Sequence, residues 1–402
     1  MQTLYPALIG LFIQAGFALL TCGLVRKKNA GHLVMLTFSA YVFALIAYYA
    51  VGYALQSGFQ GFFMSGVALR PRVMLDVAFM LVAGYVLVGA VCERISFRAF
   101  IVCELFLGGA LYPVFAHFVW GGGVLSRTGV RFGLGHGFVD FAGSSVVHSL
   151  GGFCALALAM VLGPRLGKFG RDGQPRPFLA HNIVFVAVGT FIVLCAWTAL
   201  MTASLPAGSI SGETVALNAS LAAAGGAAAA MAFWTFSYGK PDISMACNGL
   251  LAGMVAISAS GPFVGPTAAL IIGAIAGLVA CAGVLFNERT LKIDDPCGSI
   301  SVHGYSGWWG AVAAGLFANG SAGDGLNGVA GGVTGLFHGS PSQFVAQIAG
   351  ATLCAVYAFG LTYAVFKFVN TTWRLRVDPD VEDEGLDLHD FGMLAYPDEE
   401  GG

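Results

Sequence analysis

Eleven stretches of this sequence are long and apolar enough to cross a lipid bilayer, and that property governs what the chain can fold into. A bilayer core of about 30 Å needs roughly 20 apolar residues per helix. Qualifying runs lie at about 6–25, 33–54, 73–92, 99–120, 141–163, 181–204, 217–238, 244–260, 266–286, 300–318 and 342–368. They are too long and too uniformly apolar for barrel strands, which alternate. Turn-forming pairs and triplets separate them, among them Gly163-Pro164, Gly239-Lys240-Pro241 and Asp294-Asp295-Pro296. Charged residues make up only 10% of the chain, against about a quarter in soluble proteins. The 58 glycines allow helices to pack closely. The expected fold is therefore an all-α polytopic membrane protein. The first run is not a cleaved leader, because its basic cluster Arg26-Lys27-Lys28 follows it.

Charge gives orientation. With loops after odd-numbered spans placed in the cytoplasm, that side receives fifteen bases, including Arg26, Lys27, Lys28, Arg94, Arg98, Arg165 and Lys168. The other side receives four: Arg70, Arg72, Arg127 and Arg131. The excess puts the N-terminus outside and the C-terminus in the cytoplasm, as expected for a multi-pass protein of the cell (inner) membrane. Residues 1–376 carry 19 bases against 11 acids, whereas 377–402 carry ten acids and no base. The end of the chain reads as a separate acidic cytoplasmic tail, 373–402, poorly suited to an anionic lipid surface. The nine cysteines show no CxxC pair and read as buried thiols.

The chain also repeats itself. DFAGSSVVHSLGG at Asp140–Gly152 and DPCGSISVHGYSG at Asp295–Gly307 share six positions at an offset of 155 residues. These are Asp140/Asp295, Gly143/Gly298, Ser144/Ser299, Val147/Val302, His148/His303 and Gly152/Gly307. The stretches open spans 5 and 10, and five crossings reverse direction, so the two helices run antiparallel. Inverted halves follow, spans 1–5 (about 1–170) and 6–10 (about 177–320), with an eleventh helix at about 342–368. Such repeats place functional groups near the midplane. His148 lies eight residues past Asp140, about 12 Å along a helix, and His303 reaches the same depth from the other face.

A single histidine in an apolar helix is ordinarily an interior residue with its bonds satisfied. Two related by an internal repeat point to a pathway, since ionisable groups in a membrane are costly. Two imidazoles are too few for zinc, and no Cys or acid stands at ligand spacing, so no metal or cofactor is expected. One neutral imidazole can donate to the other, leaving both outer nitrogens facing the space alongside. That arrangement suits a small amine that enters as a cation and crosses the dry section uncharged, where a charge would be expensive.

Seven further stretches carry a resemblance: LVRKKNA at Leu24–Ala30, CERISF at Cys92–Phe97, HFVWGGG at His117–Gly123, VLGPRLGK at Val161–Lys168, His181-Asn182, LKIDDPCGSISVHG at Leu291–Gly304 and DEGLDLHDFGMLAY at Asp383–Tyr396. With DFAGSSVVH they are similar, in order and over nearly the whole chain, to the ammonium transporter (Amt/Mep/Rh) family, its bacterial and archaeal Amt branch in particular. The resemblance implies a homotrimer with one pore per subunit that carries ammonium inward. It assigns Trp120 and Ser204, with Phe79 and Ala142, to the recruitment of ammonium, and Phe79 to the outer gate. Asp140 matches the acid that organises this region, and His148 and His303 match the twin histidines of the pore. Plainer roles exist for each: Trp120 as an interface anchor, Ser204 bonded to its own backbone, Asp140 as a helix cap.

Departures stand at the gate. Relatives read GWFGFNAGS where this chain reads AWTALMTAS at Ala196–Ser204, so the second gate position is Leu200, flanked by Met201 and Ala203. Asp76 and Glu104 also put acids inside spans 3 and 4. The tail resembles the region through which PII-type nitrogen-signalling proteins regulate the family, with departures at Phe391 and Met393. Two functions are expected to compete: an ammonium transporter or channel, and an ammonium sensor of the same fold with weak or no conduction. An enzyme is not expected, since no nucleophile stands with a base and no phosphate-cradling loop precedes a helix. No nucleic-acid partner is expected either.

Overall fold

The computed structural model describes residues 4–68, 71–205 and 211–397. Arg70 and the last acids of the tail, Asp398, Glu399 and Glu400, lie outside the described residues. Among the described residues eleven long helices build the body: α1 (Leu4–Leu24), α2 (Lys27–Gln56), α3 (Arg72–Val91), α4 (Phe97–Val119), α5 (Ser144–Leu162), α6 (Ile183–Ala203), α7 (Gly212–Tyr238), α8 (Ile243–Ile257), α9 (Pro266–Leu291), α10 (300–317) and α11 (Pro341–Thr372). Two short tail helices follow, α12 (Pro379–Glu384) and α13 (Leu386–Phe391).

The helices differ in burial for a physical reason. In α3, 94% of the apolar stretch is buried, against 33% in α11, so α3 runs through the interior of the chain while α11 lies at its surface. With 32 residues, α11 is about 48 Å long, which exceeds the hydrocarbon thickness and requires tilt or overhang. At 15 residues α8 is too short to span alone. The chain beyond it, Ser258, Ala259 and Ser260, is buried in protein, where non-helical backbone is tolerated at membrane depth. Eight cysteines are buried as expected; Cys195 departs from that reading, exposed on the outer side of α6.

The repeated residues act in pairs. Gly143 (φ 93°) and Gly298 (φ 75°) both take the left-handed conformation that starts their helices, a geometry that costs a side chain dearly. The Asp140 carboxylate accepts from the N–H groups of Gly143, Ser145 and Val146 at 2.8–3.0 Å. Its counterpart Asp295 accepts from Ser299 and Ile300 at 3.0 and 2.7 Å. Each acid thus satisfies donors orphaned at a helix start. Both helices open with wide π-turns, Ser144–Ser149 and Ile300–Tyr305, and these turns carry the histidines. The crossing of α5 and α10 is closed by glycine: a Cβ on Gly152 would lie 2.1 Å from Gly304 N, and one on Gly307 2.4 Å from Ser144 O.

At the end bearing the basic loops, a buried charge network ties the halves together. Arg165, from the loop after α5, reaches Glu93 in the first half at 2.8 Å and Asp294 in the second at 2.7 Å. Arg26, between α1 and α2, and Asn29, in the first turn of α2, close on Glu93. Burial alone would raise the Asp294 carboxyl, but Arg165 and Arg94 beside it hold it well below the usual carboxylate range. The tail is not a detached segment. Asp387 accepts from the N–H groups of Gly31 and His32 at 2.9 and 2.7 Å. Glu382 takes Arg376 at 2.7 Å and the N–H of Leu166 at 2.6 Å. Phe391 packs edge-on against Phe97, ring centroids 5.2 Å apart. The surplus of bases in the body and of acids in the tail is complementary, and the two meet.

Candidate functional site

A single aromatic column runs from the end opposite the basic loops to the middle of the molecule. It begins under a vestibule of about 940 Å³ whose walls include Arg72, Asp76, Trp120, Asp140, Phe141 and Ser204. The Trp120 ring is fixed by its Nε1–H, which donates to the backbone oxygen of Asp140 at 2.7 Å. Asp140 therefore works in two directions: its carboxylate caps α5, and its carbonyl orients the tryptophan. Ser204 Oγ donates to Leu200 O at 2.9 Å, leaving its lone pairs toward the vestibule it lines. Ala142 is fully buried with its N–H on Ser258 O at 2.8 Å; its neighbour Phe141 forms the wall.

Phe79 lies beneath Trp120, ring centroids 5.4 Å apart, and is fully buried. The next ring is Trp197, 5.6 Å from Phe79 and 4.5 Å from His148. Leu200, expected at the gate, points elsewhere: its Cδ2 fills the space over Gly10 of α1, where a Cβ would approach within 2.2 Å. It borders neither the vestibule nor the slit below. Trp197 is the side chain the sequence reading missed, hidden in an apolar run where tryptophan is unremarkable as core. Its Nε1–H donates to Ser258 Oγ at 2.9 Å, and that hydroxyl in turn donates to Met254 O at 2.8 Å. The ring is held by a satisfied polar pair rather than by packing alone.

His148 and His303 do meet. Their Nδ1 atoms are 3.2 Å apart, with ring planes inclined by 21°. One Nδ1 must carry the proton and the other accept it, which leaves one Nε2 an acceptor and the other a donor. His148 Nε2 is buried with no partner from the protein. The slit beside the rings is lined by Phe17, Val193, Trp197, Leu251 and Met254, and offers about 10 Å³, roughly the room of one water. Apolar walls, paired imidazoles and a free ring nitrogen make a place where a small neutral hydrogen-bonding molecule fits and a hydrated ion does not.

The two acids left unplaced by the sequence part company. Asp76 lines the vestibule, paired with Arg72 one turn away on α3 at 3.0 Å. Glu104 is fully buried against Gly84 of α3, and neither carboxyl oxygen has a partner. It thus lies neither at a helix end nor on an outer surface.

Comparison with known proteins gives the family and the fold. The Ammonium Transporter Family model matches residues 2–396. Ammonium transporter Amt2 of Archaeoglobus fulgidus is 39% identical, with 96% of this chain and 86% of the relative aligned. The ammonium transporter of Bacillus subtilis is 31% identical over 98% and 97% of the two chains. Among solved structures, a Sensor Amt Protein superposes with a TM-score of 0.89 at 29% identity, covering 97% of each chain. Candida albicans Mep2 gives 0.82 at 25% identity over 94% of this chain and 85% of that one. A column of rings ending in two facing imidazoles, on eleven helices in inverted halves, is carried by a chain that belongs to the ammonium transporter family.

Proposed function

We propose that the protein recruits ammonium at the vestibule, where the ion yields its proton to the vestibule water, and passes ammonia beside His148 and His303 into the cell, with or without a proton following through the histidine pair. The carrying observation is the 3.2 Å contact between the two Nδ1 atoms in an apolar slit with room for one small molecule. Trp120 offers a π-face to the cation and Ser204 a hydroxyl oxygen. Below them, shedding water from a charge is expensive and from ammonia is not. The donor Nε2 meets the ammonia lone pair, and the acceptor Nε2 meets an N–H. In this reading the basic end is cytoplasmic, the unit is a homotrimer in the cell membrane, and a PII-type protein engages the basic end through the docked tail.

The test is reconstitution. Ammonium-driven current or a lumenal pH change in proteoliposomes supports conduction, and His148→Ala or His303→Ala is expected to change the rate at least tenfold or to admit other ions. Unchanged rate and selectivity in both variants removes the histidines from the mechanism. A second reading, an ammonium sensor, is favoured by the likeness to the Sensor Amt Protein and by the departures from the family pattern at Leu200, Met201 and Ala203. Ammonium binding without flux decides for it.

A further inference from the structure

The vestibule already contains a cation. Arg72 Cζ lies 5.9 Å from the ring centroid of Trp120, within cation–π reach, while its Nε donates to Asp76 Oδ1 at 3.0 Å. We propose that Arg72 is a tethered competitor for ammonium: its guanidinium shares the Trp120 face and the Asp76 carboxylate, and a recruited ammonium ion takes its place. The proposal rests on recruitment at Trp120.

Helix stability does not account for the pair. A base in the first turn and an acid four residues later is the reverse of the order that the helix dipole favours. The two partners also differ in freedom. The Arg72 side chain is 49% exposed and that of Asp76 10%, so the acid is set in the wall and the base is a movable arm. Pairs with one solvated partner exchange readily. A carboxylate this buried keeps its charge at less cost with a cation beside it, and ammonium can serve there as guanidinium does. The exchange leaves Asp76 paired and returns Arg72 to water. Asp76 stands three residues before Phe79 on α3, so the exchanged ion sits at the head of the aromatic column. The arm therefore sets how much ammonium is needed before the vestibule is occupied.

The experiment titrates ammonium against the full-length protein, read as uptake into proteoliposomes and as ligand-dependent thermal stabilisation, which reports binding without flux. Arg72→Ala and Arg72→Gln are each expected to lower the half-saturating concentration at least threefold, and Trp120→Leu to raise it. If Trp120→Leu raises it while both Arg72 variants leave it unmoved or raise it, the competitor is overturned and recruitment at Trp120 stands. If Trp120→Leu leaves it unmoved, recruitment there falls and the proposal with it.

Discussion

The basic end and the lane both bury polar groups, and they treat them in opposite ways. At the basic end Glu93 takes Arg165, Arg26 and Asn29, and Asp294 takes three donors from Arg165 alone. In the lane His148 has its partner His303 on one side and no protein group on the other. Carboxylates with their bonds made lock loops from both halves into one geometry, although Arg26 Nη2 beside them is buried without a partner. The unsaturated histidine pair leaves a ring nitrogen with a bond still to make. Polarity inside a protein is thus not a single signal: the carboxylates at the basic end have spent their bonding capacity on the protein, and His148 has not.

The largest test of that contrast is Arg165→Met, which strands Glu93 and Asp294 without their shared partner. Breaking a buried pair in this way costs about 3–5 kcal/mol. Thermal unfolding in detergent should show a clear loss, and limited proteolysis should find the tail released; an unchanged melting point would break the comparison. Glu104 offers the converse. Its carboxyl has no partner to lose, so Glu104→Met should stabilise by about 1–3 kcal/mol, and destabilisation by that much would mean a bond has been overlooked. Asp140→Ala removes a cap and should cost about 1–2 kcal/mol, with the Trp120 fluorescence shifting as its carbonyl anchor loosens. The smallest effect concerns acid. Because Asp294 titrates lower in the folded protein than in the unfolded chain, its contribution is complete above the ordinary carboxylate value of about 3.9. It is lost as pH falls through the folded value. Stability scanned against pH should therefore decline more steeply on the acid side in the native protein than in Asp294→Asn.

Much of this was legible in the residues, for reasons that also mark the limits. The spans announce themselves because bilayer thickness sets a length, and the observed helices begin and end within about five residues of most of the apolar runs. The histidine contact was legible because a repeat at fixed offset implies a symmetry, and symmetry brings equivalent atoms together. Leu200 and Trp197 were not separable by that means. They lie three residues apart on α6, and an apolar run gives no indication of which face meets Phe79 and which meets Gly10. Asp76 and Glu104 posed the same difficulty, since a carboxyl in a span has a depth in the sequence but no direction. The docking of the tail left a trace that a charge count per segment misreads: ten acids look solvated until they are set beside the eight surplus bases of the body.

The meeting of Gly152 and Gly304 carries one last implication. Two backbones in contact directly below the rings cannot draw closer, and they cannot part without surrendering the tightest seam between the halves. The spacing of α5 and α10 at that level is therefore set by main chain, while the slit above it is lined by side chains. A methyl added at Gly152 would meet the backbone of Gly304 at 2.1 Å and act as a shim between the two helices, whereas one at Gly304 would find 3.3 Å.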